Sequence, residues 1–326
     1  MTVERLGVNG MTPELKQTYD RTLLDVALQE LVAVLYGEKR NIPARGGKSV
    51  EFRRFEKIAI GSHVLTNEGS YPAETQATIS TVAVTISQYG AWSKISDLLE
   101  VQGFDPVIDE FASKYGIHAA EVLDTVAFDE LITTTTTQYA GAATVVGTSG
   151  AGAVGSGLYV NAAELLEMRR TLRRNNARPY SIEGKKVYPV FIHPDNAKDL
   201  FEDPDIVKAF ESAGDRGKDN PMFTGVLGDW MGMRFVETTN LRVLSSYGMS
   251  GADTYHVLMC GQQAYGVTEL DALQMRTIIH PRGSGGHTDP LEQYSTVGWK
   301  GAFATRILNN SWIGLIYCAS SRSNAA

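Results

Sequence analysis

The stretch YSTVGWKGAFATRILNNSWIGLIY, residues 294–317, predicts two β-strands that meet at a bend at Asn309 and Asn310. Side chains of different character alternate along the first strand, which is typical of a half-buried strand. Its two faces are Val297, Trp299, Phe303 and Ile307 on one side, and Lys300, Ala302, Ala304 and Arg306 on the other. The aromatic face needs an element to cover it. The second face is expected to be polar or to contact another subunit.

A long helix is the element that the sequence offers as this cover. Apolar side chains recur at steps of three and four residues over residues 105–132. Asp105 suits the N-cap, and the proline after it suits the first helical position. At 1.5 Å per residue such a helix is about 40 Å long, which indicates a structural spine. The predicted core residues of this unit are Phe111, Tyr115, Val122, Trp299, Phe303 and Trp312.

The chain before this helix predicts elements that need partners. Residues 19–36 have one apolar face and end before Gly37, as an amphipathic helix does. Residues 49–55 and 78–87 predict two strands joined by a long loop, which together make an extended hairpin. A two-stranded hairpin is marginally stable alone in water, so we expect another subunit to hold it.

Charged residues of both signs are spread along this hairpin, with basic residues at one end and acidic residues near the tip. Complementary charges across a contact fix its register more than they strengthen it. The residues that we assign to a hypothetical contact between subunits are Arg53, Arg54, Lys57, Glu68, Glu74, Lys300 and Arg306.

The middle of the chain predicts a second unit of helices and strands. A glycine- and alanine-rich segment at residues 138–157 changes the composition and marks a boundary. A capped helix follows at residues 161–174, where Glu164 stands three residues after Asn161 as in a capping box. The strands and the short helix predicted beyond it lie at residues 187–192, 234–237, 255–259 and 273–279, and at 195–201. The fold class is therefore α+β.

The composition argues against several classes of protein. The chain has 326 residues and a formal net charge of −7, which argues against a protein that grips nucleic acid through its phosphates. The two cysteines, Cys260 and Cys318, form no CxxC motif, so we expect two buried, reduced thiols. No signal core and no apolar run of about 20 residues is present, so no membrane association is expected.

No motif organises catalytic, cofactor-binding or metal-binding residues. GAGAVG at residues 150–155 matches a dinucleotide fingerprint, but the next helix starts too late, so we interpret it as a loop. No two histidines have metal-ligand spacing; His118 is expected to be a packing residue and His193 a turn residue. The arginine run RRTLRRNNARPY, residues 169–180, is compatible with phosphate contact. We expect it instead to be a helix C-terminus with a solvated or inter-subunit face.

The order of several segments points to a known family. They are LTNEGSYPAETQ (65–76), TVAVTISQYGAWSKISDLLE (81–100), FIHPDNAKDLFEDP (191–204), GMRFVETTN (232–240), GQQAYGVTEL (261–270) and DPLEQYSTVGWKGAFATRILNNSWIGLI (289–316). Taken in order, they resemble the major capsid proteins of tailed bacteriophages, specifically the N4-like capsid family with the Hong Kong 97-type fold. The resemblance implies four parts. These are an N-terminal arm (1–46), an extended β-hairpin loop (47–96), a peripheral domain (97–140 and 280–326) and an axial domain (141–279).

The resemblance implies a structural subunit and no enzyme. The chain would self-assemble as hexamers and pentamers into an icosahedral shell around double-stranded DNA. Its partners would be other copies of itself, with portal, scaffolding and decoration proteins, and it would need no cofactor and no membrane. Assembly is expected in the cytoplasm of the bacterial host, and the product is the capsid of the virion. No lysine–asparagine pair for a covalent cross-link and no built-in scaffolding segment can be assigned.

Two other functions stay open at this point. One is an encapsulin-like shell protein of the same fold, which would form a cellular nanocompartment around an enzyme cargo. The other is a soluble oligomeric enzyme whose site is built from dispersed residues. Large hollow particles in negative-stain microscopy would exclude the enzyme, and long DNA in particles from infected cells would favour the virus.

Deleting residues 58–76, the loop of the predicted hairpin, is expected to leave a soluble chain that does not assemble. The reason is that the hairpin is the element that most needs a neighbouring subunit. Size-exclusion chromatography and electron microscopy of the purified variant would measure the loss. Shells of normal size from this variant would contradict the prediction.

Overall fold

The structure, a computed structural model, describes most of the chain. The described residues are 31–42, 47–55, 78–102, 107–141, 154–155, 157–182, 184–212, 228–249, 251–269, 275–284 and 291–324. Most of the predicted N-terminal helix, the hairpin loop, the N-cap Asp105 and most of the GAGAVG segment lie outside these residues.

Helices and strands alternate irregularly along the described chain. The helices are α1 (Ala33–Tyr36), α2 (Asp97–Gln102), α3 (Val107–Leu131), α4 (Ala162–Arg174), α5 (Pro194–Phe201) and α6 (Pro204–Ser212). The strands are β1 (Glu38–Lys39), β2 (Ser49–Phe55), β3 (Ile79–Thr85), β4 (Ser87–Ser96), β5 (Thr137–Tyr139), β6 (Tyr180–Ile182), β7 (Lys185–Ile192), β8 (Asp229–Trp230), β9 (Met233–Glu237), β10 (Tyr255–Cys260), β11 (Tyr265–Glu269), β12 (Arg276–His280), β13 (Tyr294–Ile307) and β14 (Ile313–Cys318). Short 3₁₀ turns at Asn310–Trp312 and Ser321–Asn324 flank β14. None of these helices has the length and apolar composition that crossing a membrane requires.

The first sheet is built around β13. β4 pairs antiparallel with residues 294–303 of this strand. β12 pairs with residues 296–300 and β11 with residues 303–307. Since β4 and β12 face the same residues of β13, they must occupy opposite edges of it. β1 then extends the sheet by pairing parallel to β11.

The long helix α3 covers one face of this sheet, as the alternation in β13 predicts. Trp299 is 3% exposed and packs against Ala119, with Tyr115 and Val122 beside it. Its indole Nε1 donates a hydrogen bond to His118 Nδ1 at 3.1 Å. The histidine on the helix therefore accepts the one hydrogen bond that a buried tryptophan needs to make.

Three other residues assigned to the core lie away from Trp299. Phe303 is buried farther along β13, in a cluster that includes Phe128 of α3. Trp312 is half-buried in the 3₁₀ turn, where its Nε1 donates to the carbonyl of Asn175 at 3.1 Å. Phe111 is half-buried and does not join the side chains around Trp299. It stands eight residues before Ala119 on the helix, a distance of about 12 Å.

The second face of β13 was expected to be polar or to contact another subunit, but part of it is buried within the chain. Ala302 and Ala304 are only 4% and 7% exposed, because Phe52 and Val84 of the β2–β3 hairpin pack on them. Lys300, two residues before Ala302, stays half-exposed. The outer face of the first sheet is thus divided into a half covered by the hairpin and an open half.

The second sheet has the strand order β5-β14-β10-β7-β9-β8, and β6 forms a hairpin with β7. Six consecutive residues of β7, from Val187 to Ile192, are buried, as expected for a strand covered on both faces. α4 packs one of these faces through Leu165, Met168 and Leu172. A Cβ on Gly314 of β14 would lie 2.1 Å from the sulfur of Met168, so this glycine makes room for the helix.

Local sequence signals start the helices on this sheet as predicted. The Asn161 side chain accepts the Glu164 N–H at 3.0 Å, and the Glu164 carboxylate accepts the Asn161 N–H at 3.3 Å. This is the reciprocal bonding of a capping box. His193, which was expected to lie in a turn, caps α5, because its Nδ1 accepts the N–H of Asp195 at 3.2 Å. Pro194 then takes the first position of the helix.

The closing stretch is shared between the two sheets. The chain leaves β13, turns at the predicted bend, and enters β14 between β5 and β10 of the second sheet. β11 and β12, which come before it in the chain, pair instead in the first sheet. Strand pairing therefore crosses the proposed boundary between residues 279 and 280 in both directions.

Asp124 of α3 fixes the start of α1. Its buried carboxylate accepts the N–H groups of Val32, Ala33 and Val34 at 2.7, 3.1 and 3.4 Å. N–H groups at a helix start have no partner within the helix, so this carboxylate satisfies them. The hydroxyl of Tyr265 donates to the Ala33 carbonyl at 2.6 Å. Burial raises the pKa of Asp124 to about 6, although the three N–H bonds lower it.

Replacing Trp299 by alanine is expected to lower the free energy of unfolding by about 3–5 kcal/mol, because it leaves a cavity under α3. Urea denaturation of the unassembled chain would measure this loss. Trp92→Ala is the matched control, since the Trp92 side chain is 64% exposed and its removal should cost less than about 0.5 kcal/mol. Equal losses in the two variants would contradict the placement of Trp299.

Replacing Asp124 by asparagine is expected to reduce the dependence of stability on pH. The carboxyl releases its proton near its ordinary pKa of 3.8 in the unfolded chain and near 6 in the folded chain. Its contribution to stability is therefore full below about pH 4 and is lost as the pH rises through about 6. A pKa difference of this size corresponds to about 3 kcal/mol.

Urea denaturation between about pH 4 and pH 7 would test this difference. The unfolding free energy of the parent should fall more steeply over this interval than that of the asparagine variant. The same fall in both proteins would contradict the prediction.

Candidate subunit-contact surfaces

The open half of the first sheet's outer face forms a groove of about 520 Å³. Its side chains come from three adjacent strands, with Trp92 on β4, Ile278 on β12 and Lys300 on β13. Trp92 and Ile278 share this face because both lie opposite Gly298 in the register. A large aromatic side chain left this exposed beside an apolar floor is typical of a contact surface.

Positive charge frames this groove. The ammonium group of Lys94 lies 5.8 Å from the ring centre of Trp92 and 4.6 Å from that of Tyr294. Lys300 lines the groove, and no carboxylate is among its described lining residues. The groove therefore suits a segment that is apolar and acidic.

Two glycines keep the floor of the groove flat. A Cβ on Gly298 would lie 2.7 Å from the Cβ of Trp92, and one on Gly90 would lie 2.6 Å from the carbonyl oxygen of Trp299. A larger residue at either position would displace Trp92 or separate the strands. Glycines within strands often mark places where another backbone approaches closely.

β4 also presents an edge of the sheet beside the groove. Within the described part of the chain, β4 pairs with β13 alone. The backbone groups along its other edge are therefore available to a further strand. The groove and this edge together form one continuous surface along residues 87–96.

The β2–β3 hairpin covers the other half of the outer face and then runs away from the groove. The ring of Phe52 stands over Gly266, where a Cβ would lie 2.7 Å from it. Two residues farther along β2, Arg54 Nη1 donates to the carbonyl of Leu308 at 3.1 Å. Leu308 follows the end of β13, whereas the groove lies at residues 296–300. The described hairpin strands thus end, at Phe55 and Ile79, toward the end of β13 opposite to the groove.

The seven residues assigned to a subunit contact fall in different places. Lys57, Glu68 and Glu74 lie outside the described residues. Arg53 is exposed on the hairpin, and Lys300 lines the groove. Arg54 and Arg306 both make contacts within the chain, because Arg54 bonds to Leu308 and Arg306 pairs with Glu130 of α3 at 3.2 Å.

Sequence reasoning missed Trp92, which is 64% exposed and lines the groove. Its outward orientation follows from the pairing of β4 with β13 and from the contacts of its neighbours in β4. Ala91 and Ser93 face α3, where Ala91 packs near Trp299 and the Ser93 hydroxyl bonds to that of Tyr115. The residue between them must therefore point to the outer face.

The described residues include no candidate metal site and no exposed thiol. No cluster of three or more histidine, cysteine, aspartate or glutamate side chains there could hold a metal ion. Cys260 and Cys318 are buried free thiols, and burial raises the pKa of both.

Comparison with known proteins agrees with this fold. The family model described as phage capsid protein matches residues 78–317. The capsid protein of Ralstonia phage GP4 is 16% identical, with a TM-score of 0.64 over 87% of each chain. The capsid protein of cyanophage Pam1 is 15% identical, with a TM-score of 0.65 over 98% of this chain and 97% of that one. No curated protein matches the sequence.

These likenesses confirm the fold that the resemblance implied, the Hong Kong 97-type capsid fold. The family match covers most of the chain, including α3, nearly all of the second sheet and every strand of the first sheet except β1. The chain therefore belongs to the phage capsid protein family, as a major capsid protein.

Proposed function

We propose that this capsid protein assembles as hexamers and pentamers into an icosahedral shell that encloses double-stranded DNA. The observation that supports this most directly is the groove at Trp92, an open apolar face on a sheet whose other half is already covered. The open apolar face and the marginally stable hairpin are two features that contact with another copy of the chain would stabilise. The role is structural, without catalysis.

The segment that we propose for the groove is the hairpin loop of a second copy, residues 56–77. Over residues 58–76 the only side chains charged at pH 7 are those of Glu68 and Glu74. Apolar residues such as Val64, Leu65 and Tyr71 stand among them. An apolar segment with acidic residues complements the groove, which is apolar with Lys94 and Lys300 at its sides.

Geometry favours a second copy over the same chain. The described part of the hairpin ends near Leu308, at the far end of β13 from the groove of the same chain. The chain between Phe55 and Ile79 is long enough to extend at most about 40 Å from the root and return. A loop of this reach suits the groove of an adjacent subunit, and repetition of that contact would close a ring.

The remaining parts of the proposal follow the family resemblance. The four-part division into arm, extended loop, peripheral domain and axial domain is retained, with β14 as the strand by which the peripheral segment enters the second sheet. Portal, scaffolding and decoration proteins are proposed as further partners, and the bacterial cytoplasm as the place of assembly. The N4-like group is the proposed subfamily.

Reversing the charges beside the groove, as in Lys94→Glu with Lys300→Glu, is expected to prevent shell assembly. Like charges would then face each other across the contact, which costs several kcal/mol. Adding Glu68→Lys and Glu74→Lys to the same chain should restore assembly. Negative-stain microscopy and size-exclusion chromatography would count particles in each case.

Lys114→Glu on α3 is the matched control, because this exposed lysine lies outside the groove and should tolerate reversal. Thermal melting would establish that each variant is folded. Normal shells from the doubly reversed groove variant, or no rescue by the compensating changes, would overturn the proposed contact.

A further inference from the structure

We propose that a surface at the C-terminal half of α4, formed by Arg169, Arg173 and Lys186, binds the phosphate groups of double-stranded DNA. This surface lies on the second sheet and shares no residue with the groove. The inference deepens the proposed function, because it names a place where the shell subunit would touch the enclosed DNA.

The helix presents these cations because its other face is buried. Leu165, Met168 and Leu172 point into the core of the second sheet. Arg173 is exposed one turn after Arg169, so the two guanidinium groups lie on the same side of the helix. The period of the helix thus separates a buried apolar side from a cationic side.

β7 and the β8–β9 turn hold the cations in place. The guanidinium of Arg169 lies over Gly232, since a Cβ there would be 3.2 Å from Arg169 Nη2. Burial raises the pKa of Tyr188 on β7, and the charges of Arg173 and Arg169 beside it lower that pKa. Lys186 stands two residues before Tyr188 on β7 and therefore lies on the same face of the sheet. Three cations from two elements are thus brought to one surface.

Arg169 carries an unused donor in this arrangement. Its Nε atom is buried and has no hydrogen-bond partner among the described residues. Burial and the nearby charge of Arg173 lower the pKa of Arg169, so the folded chain holds this charge at a cost. An anion bound at the exposed ends of the two guanidinium groups would offset their repulsion.

The carboxylates of Glu167 and Asp229 form ion pairs with other cations. Glu167 pairs with Arg170 on the same helix. Asp229 accepts Arg234 Nε at 2.7 Å, and its other oxygen lies 3.7 Å from Lys185. Across the described residues, no ion pair joins Arg169, Arg173 or Lys186 to an acidic side chain. The surface therefore has a local positive charge on a chain whose net charge is −7.

The helix dipole does not account for this surface. Cations in the last turn of a helix are favoured by the negative end of the dipole, which explains Arg173 and Arg174. Arg169 lies before that turn, and its guanidinium is held over the β8–β9 turn instead. The dipole therefore accounts for Arg173 but leaves the position of Arg169 unexplained.

A nucleic-acid backbone fits this surface better than a protein does. DNA offers repeated negative charge without cations of its own, and guanidinium groups bind phosphate through paired N–H bonds. A second copy of this chain would bring 30 lysines and arginines as well as 37 acidic residues. Its surface is therefore mixed in sign, whereas the three cations form a surface of one sign.

The test is binding of a fluorescently labelled 30-base-pair duplex to the unassembled chain, by anisotropy, between 50 and 200 mM NaCl. Arg169→Gln with Arg173→Gln is expected to weaken binding about tenfold or more at the lowest salt. The slope of log affinity against log salt should become less steep by about 2, since each phosphate that a cation neutralises contributes about 0.9 to this slope. Arg170→Gln is the control, because Glu167 already neutralises that charge; its affinity should stay within about twofold of the parent.

Three results would overturn the proposal. They are no measurable duplex binding by the parent at 50 mM NaCl, unchanged affinity and slope in the double variant, or an equal weakening in the Arg170→Gln control. Shell assembly by the same variants separates this inference from the proposed function. Normal shells from a variant that no longer binds the duplex support both, whereas failed assembly with unchanged duplex binding would make the surface an interface between copies.

Discussion

β13 is the constraint on which the rest of this structure depends. Its 14 residues have strand partners along both edges, α3 across one face, and the hairpin root on half of the other. The strand can satisfy all of these neighbours only in one register, since a slip by one residue would turn Trp299 outward and Lys300 into the core. The spine helix, the groove and the hairpin keep their relative positions because each is fixed to this strand.

Much of this fold could be predicted because it is encoded in short periodic patterns. Period-2 alternation located β13 and the hairpin strands, and steps of three and four residues located α3. The capping box at Asn161 located the start of α4 to within one residue. Signals of this kind depend on neighbours in the sequence, so a single chain is enough to recognise them.

What could not be predicted depends on pairing between distant segments. Nothing local in residues 313–318 indicates that they lie between β5 and β10, because any apolar strand could occupy that position. The burial of Ala302 and Ala304 likewise depends on Phe52, some 250 residues earlier in the chain. The candidate contact surface was missed for the same reason, since Trp92 becomes an exposed groove residue only when β4 is paired with β13.

The two surfaces of this acidic chain use charge differently. At the groove, a few cations surround an apolar floor, so burial of apolar area would supply most of the attraction and charge would set the alignment. At α4, cations surround no apolar floor, so attraction there would weaken steeply with salt. At a salt concentration that weakens binding of the polyanion, the contacts between subunits would therefore remain strong.

The position of β14 has a consequence for synthesis on the ribosome. β5, β7 and β10 all emerge before it, yet β14 is the strand that joins β5 to β10. Until residue 318 has left the ribosome, the second sheet lacks an internal strand and β10 has one bare edge. The second sheet is therefore completed only after nearly all of these elements have been synthesised. A partly synthesised subunit is not yet fully folded and would not be ready to join a growing particle.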